Sequence, residues 1–209
     1  MEEITIQQKL EEVRKQEENL IFQSFSNKDA LEIGMLIIEA AKGFDKPIAI
    51  NILKNGQSIF HYAMDHTSPD QDLWIKRKSN IVLRHHVSSY YMRLYNEMKN
   101  RSYNEFYSAS PSEFAAHGGA FPIKIEGSGV IGVITVSGLA QEDDHNLVVE
   151  ALAKFLNKRV KKRSRSFGSL FKLVLNKIKF PDEKEFNTTT SIRICKKKSC
   201  RSSFLKLNI

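Results

Sequence analysis

The chain has 209 residues, is 41% hydrophobic and carries a formal net charge of +8. That charge is unevenly placed: residues 1–157 hold 16 Lys and Arg against 21 Asp and Glu (net −5), and residues 158–209 hold 16 against 3 (net +13). The body is therefore not a basic nucleic-acid binder, and any polyanion affinity must come from the tail. Both cysteines, Cys195 and Cys200, lie in the tail, so the body cannot build a disulfide, a zinc ribbon or thiol chemistry. The acidic start Met1-Glu2-Glu3-Ile4-Thr5 lacks the apolar region of a signal peptide, and no apolar run approaches the ~20 residues of a membrane span. The expected location is the cytoplasm, or the nucleus if the basic run at 158–166 is a targeting signal.

In chain order, Ile6, Leu10, Val13 and Leu20 recur at near-helical spacing and predict an amphipathic helix over residues 2–20. A second helix is expected from Asn27 as N-cap to Gly43, with Leu31, Met35 and Ile38 as its apolar stripe. Pro47–Leu53 reads as a strand, Asn55-Gly56 as a hairpin turn and Gln57–Met64 as the return strand. One long helix is expected from Asp70 to Met98, with Trp74, Ile81, His85 and Met92 on one face. Ser110-Pro111-Ser112-Glu113 has the form of a capping box and predicts a short helix ending at His117-Gly118-Gly119. Ala120–Glu126 and Val130–Val136 form a second hairpin around Gly127-Ser128-Gly129. A last helix runs from Gln141 to Leu156, with Leu147, Val148, Ala151, Leu152 and Phe155 as its buried face. Hairpins separated by helices imply an α+β fold. The expected architecture is an antiparallel sheet of about five strands, the fifth near Glu105–Ser108, flanked by helices.

Several stretches together resemble the haem-degrading-domain family: Asp72-Leu-Trp-Ile-Lys-Arg-Lys78, Ser88-Ser-Tyr-Tyr-Met92, Phe114-Ala-Ala-His-Gly-Gly-Ala-Phe-Pro122, Gly132-Val-Ile-Thr-Val-Ser-Gly138 and Gln141-Glu-Asp-Asp-His145. The family includes glycolate-utilisation-type proteins, a secreted haem-binding sensor and a cytosolic branch of small proteins, to which this chain is most similar. The resemblance spans residues 5–157. It implies a profilin-like sandwich, a symmetric homo-oligomer, and haem or another small molecule as ligand.

Haem needs an axial donor in an apolar pocket, with cations for its propionates. His117 is the sharpest candidate for a metal-ligating residue, because Gly118 and Gly119 beside it allow close backbone approach. The competing reading is that His117 merely caps a short helix and the glycines supply its turn. Trp74, Arg77, Lys78 and His85 complete the candidate ligand-binding set. For His85 the plainer reading is a satisfied core or interface histidine, and for Arg77 and Lys78 a solvated face. His145 reads as a surface or interface residue. No paired catalytic carboxylates, Ser-His-Asp constellation, P-loop or dinucleotide fingerprint is present, so the sequence favours binding over catalysis.

Residues 158–166 form a basic run, and Phe167, Leu170, Phe171, Val174 and Ile178 follow at helical spacing. Such a segment can meet nucleic acid or an anionic membrane. The plainer reading is a disordered extension, or the product of a misassigned exon boundary. The expected division is a domain over 1–157 and a basic extension over 158–209. The expected function is an oligomeric small-ligand binder, with an oligomeric interaction protein lacking any cofactor as the alternative.

Overall fold

A computed structural model describes residues 5–177, with side chains through Lys161. Cys195 and Cys200 lie outside the described residues. The chain divides into two compact units, residues 1–166 and 167–209. The first holds the whole sheet.

Helix α1 (Ile6–Asn19) opens on a capping box between Thr5 and Gln8, and α2 (Asn27–Ala41) on one between Ser26 and Asp29. Strands β2 (Ala49–Lys54) and β3 (Gln57–Ala63) form the expected hairpin. Asn55 and Gly56 between them have φ of 48° and 81°, the positive values that a type I′ turn requires. Helices α3 (Pro69–His85), α4 (Ser89–Met98) and α5 (Tyr103–Phe106) follow, then β4 (Ala120–Ile125), β5 (Gly129–Ser137) and α6 (Gln141–Lys177). A two-residue strand β1 (Ile21–Phe22) completes a five-stranded sheet of order β1-β4-β5-β2-β3.

The sheet is covered on both faces. Ile50, Ile52, Phe121, Ile123, Ile134 and Val136 meet Ala30, Ile33 and Ile37 of α2 and Leu147, Val148, Ala151, Leu152 and Phe155 of α6. On the opposite face Leu53, Ala120 and Val133 meet Val82 of α3. Helix α1 lies against α4 through Leu10, Val13, Tyr90 and Leu94. Each fully buried aliphatic or aromatic side chain contributes about 1.5–3 kcal/mol through water exclusion. The fold class is thus the expected α+β sandwich.

Several elements differ from expectation, each for a local reason. The fifth strand is β1, paired parallel to β4, so the sheet is mixed; Glu105 lies in α5, not in a strand. The long helix is broken between His85 and Ser89. His86 adopts φ 59° while its N–H still donates to Val82 O, and Ser88 caps α4 by accepting from Tyr91 N–H. The apolar period runs through the break because Ile81 and Met92 enter one cluster. Ser110–Glu113 forms only a turn, and the chain is then drawn to α3 by the Ala115 N–H bond to Arg77 O. On α2 the buried stripe is Ala30, Ile33, Gly34, Ile37 and Ala41, whereas Leu31 and Met35 point outward. The ring of Phe60 on β3 occupies the place of a Gly34 Cβ, which selects that face for the sheet. Helix α6 does not stop at Leu156 but continues to Lys177. Lys158 pairs with Glu32, and Arg159 with Asp29, both on α2.

Candidate functional site

The segment His117-Gly118-Gly119 connects the loop after α5 to β4, at the end of the sheet where β5 turns into α6. Its glycines serve internal contact. A Cβ on Gly118 would enter the backbone carbonyl of Gln141, and one on Gly119 would lie 2.5 Å from Val136 O. Gly119 also has a φ of 120°, which favours glycine. This packing draws His117 close to the start of α6.

Lys78 reaches into the same junction from α3. Its ammonium is buried and donates to Gly118 O (3.1 Å), Val136 O (2.7 Å) and Asp144 Oδ2 (2.9 Å). Asp144 accepts in addition from Leu139 N–H at 3.0 Å. Burial lowers the Lys78 pKa and raises that of Asp144, while each partner's charge opposes the other's shift. With its donors so occupied, Lys78 braces β5, the glycine turn and α6 against one another. It borders the adjoining cleft without a free charge to offer it.

That cleft has a volume of about 350 Å³ and is bordered by Trp74 and Lys78 of α3, His117 and Gly118, and Gln141 and Asp144 of α6. The Trp74 and His117 rings meet edge to face, 5.2 Å between centroids, and the Arg77 guanidinium stacks 4.0 Å over the indole. His117 is half-buried. Desolvation holds its pKa below the ordinary histidine value, and Arg93, Lys78 and Arg77 push the same way, so the imidazole is neutral. Its Nδ1 is buried without a hydrogen-bond partner, and so is Oε1 of Gln141 in the same cleft. Such orphaned groups are uncommon in folded proteins and mark places where another molecule can supply the partner.

Of the residues singled out from sequence, Trp74, Lys78, His117 and Gly118 border one cleft. Arg77 joins them through Trp74, and Gly119 lies beneath, its carbonyl accepting from Val136 N–H. His85 is not brought to this cleft. Its Nε2 pairs with Tyr103 Oη at 2.8 Å within a cluster that includes Tyr107. His145 is a correction: it is buried, not superficial, with Nε2 against Gln16 Oε1 at 2.8 Å and Nδ1 unpartnered between Tyr90 and Phe121. Burial alone pushes its pKa down to about 3. Among the described residues no group of His, Cys, Asp and Glu could by itself hold a metal ion, so His117 suits only a metal already chelated by a cofactor.

A second cleft, of about 490 Å³, opens on the other side of His117. Arg93, Asn96 and Glu97 of α4, the Asn100–Asn104 segment and Ala116 border it. Sequence reasoning missed it, along with Gln141 and Asp144. The arginines look like ordinary surface charge, and only one of the three consecutive acids Glu142, Asp143 and Asp144 turns inward.

Among the described residues no helix is long and apolar enough to cross a membrane. The family model described as "Haem degrading protein HbpS-like" matches residues 25–153. A UPF0303 protein of Streptomyces coelicolor is 43% identical over 145 residues, covering 69% of this chain and 92% of that relative. The crystal structure of Ybr137w protein is 35% identical with a TM-score of 0.67, over 72% of this chain and 89% of that one. The crystal structure of a PduOC:Heme complex shares the fold at 16% identity and a TM-score of 0.54, over 62% of this chain and 94% of that one. On the match over residues 25–153 and the identity to the UPF0303 relative, the chain belongs to the HbpS-like haem-degrading protein family.

Proposed function

We propose that this protein binds a small molecule at the Trp74–His117 cleft, and that haem is that molecule. The observation that carries the reading is the neutral His117 imidazole with an unpartnered Nδ1. The ring makes no hydrogen bond with the described residues, so neither nitrogen is committed to one, and with Nδ1 buried Nε2 is the atom left to act as a donor to iron. The residues fit such a group. Trp74 offers a flat apolar wall, and Arg77, stacked on that indole, offers a guanidinium to a propionate. Asp144 does not repel the anion, because Lys78 neutralises it, and Asp70, the other carboxylate on the border, is exposed to solvent that screens it. Haem would supply redox-active iron there, and this chain would contribute a nitrogen donor from His117, an apolar wall from Trp74 and a cation from Arg77. The family's HbpS-like description and the haem complex of the PduOC relative support the choice of ligand.

Titration of the protein with haem, followed by absorbance, tests this. A saturable Soret band that is lost or shifted in His117→Ala is the expected result. Non-saturating binding that His117→Ala leaves unchanged removes haem from the reading.

The alternative, an oligomeric interaction protein without cofactor, rests on Leu31 and Met35. They stand one turn apart on the outer face of α2 and are 54% and 55% exposed. We extend the first reading to include self-association through such a face. Sedimentation then gives a mass above that of one chain with no haem added, and a monomer at micromolar concentration rejects it. The body accounts for both readings, and residues beyond 157 are assigned no part in either.

A further inference from the structure

The second cleft presents a cation that no carboxylate answers. Arg101 is half-buried and held in place by neutral groups. Its Nε donates to Asn96 Oδ1 at 2.8 Å and its Nη2 to Tyr107 Oη at 3.3 Å, while the guanidinium plane lies 3.4 Å from the Phe106 ring centre. Asn96 is itself fixed, its Nδ2 donating to Met92 O at 2.7 Å. Among the described residues Arg101 has no acidic partner, and its Nη1 has no hydrogen bond. Every other charge on this cleft's border is matched: Glu97 pairs with Arg93 at 3.1 Å. The border therefore carries one positive charge in excess.

A guanidinium with its orientation already fixed loses little entropy on binding, and its unbonded Nη1 with the second N–H of Nη2 suits two oxygens of a carboxylate or a phosphate. The remaining border is mostly polar: Asn96, Asn100, Ser102 and Asn104, with Tyr103, Ala116 and His117. A volume of about 490 Å³ falls within the ~300–1,000 Å³ of small-molecule sites. We infer that this cleft is a binding site for a small molecule bearing a carboxylate or phosphate group, with Arg101 receiving the oxyanion and Arg93 at its rim.

This site does not rest on the haem reading. The two clefts share only His117, and each can fail without the other. Bidentate contact to a fixed guanidinium also discriminates between cations. Lysine in its place supplies charge but neither the planar fork nor the stack on Phe106.

The test is ligand binding by the full chain, without haem, using inorganic phosphate in one arm and succinate in the other, followed by amide chemical shifts. Saturable shifts at residues 96–104 in either arm support the site, and the arm that saturates identifies the oxyanion. Affinity should then fall by about tenfold or more in Arg101→Gln, as expected for losing a hydrogen bond to a charged partner, and Arg101→Lys should not restore it. Arg93→Gln, at a partly exposed position, should weaken binding less and keeps the test open if Arg101→Gln does not fold. The inference is overturned if neither anion produces saturable shifts at 96–104, or if Arg101→Gln folds and binds as the parent does.

Discussion

On one side of His117, Lys78 gives its ammonium to two carbonyls and a carboxylate and is buried with them. On the other, Arg101 is held by an amide, a phenol and an aromatic face, with no carboxylate against it among the described residues. Both are cations fixed beside a cleft, and their positions alone do not tell them apart. What separates them is whether the protein itself has supplied the counter-charge. A saturated cation braces the fold, whereas a fixed and unsaturated one is ready for something outside it.

The sharpest way to break this comparison is to remove one half of the saturated pair. Asp144→Leu leaves the Lys78 ammonium buried without its carboxylate and should destabilise the protein by about 3–5 kcal/mol in denaturant unfolding. The double change Lys78→Met with Asp144→Leu should recover part of that loss, since two buried charges leave together while Gly118 O, Val136 O and Leu139 N–H each lose a partner. If the double variant is as unstable as Asp144→Leu, the pair does more than brace.

The two histidines extend the comparison to protons. His145 is neutral in the fold, with a pKa of about 3 against an ordinary 6.5. The unfolded chain therefore takes up a proton that the folded chain refuses. Stability is full above about pH 6.5 and falls as pH drops toward 3, by at most roughly 1.4 kcal/mol per pH unit from this group. His145→Gln should flatten that acid slope in a pH series of unfolding curves, whatever it does to stability at neutral pH. An unchanged slope would place the acid sensitivity elsewhere.

The smallest effect is expected at Arg101. Its bonds to the protein are to neutral groups at a half-buried position, so Arg101→Gln should cost roughly 1–2 kcal/mol in the same unfolding assay. A loss as large as that of Asp144→Leu would make Arg101 a second brace and erase the contrast.

Much of the fold was legible because it rests on local rules. The Asn55-Gly56 hairpin and the core face of α6 follow from turn chemistry and periodicity, whereas the N-cap of α2 is Ser26 and not Asn27, and the capping-box pattern at Ser110–Glu113 starts no helix. Three features escaped because tertiary contact decided them. The break at His86 needs a left-handed histidine without a glycine to announce it. The inner face of α2 was set by the Phe60 ring against Gly34, while Leu31 and Met35 read as equally apolar. Strand β1 is two residues long and exists only because β4 lies alongside it. At the candidate site, the Trp74, Lys78, His117 and Gly118 group was visible as motif fragments. The role of Lys78 was not, because its acceptors are 40, 58 and 66 residues away in the chain.

The continuity of α6 decides where the protein can be shortened. A chain ended at Asn157, where the charge changes sign, would stop just before Lys158 and Arg159 of α6. It would lose the pairs of Lys158 with Glu32 and of Arg159 with Asp29. Trimming after Ser166 keeps both attachments. The first basic residues of the extension thus serve as the clasp of the acidic body, and a comparison of trimmed with full-length protein is informative only when the clasp is left closed.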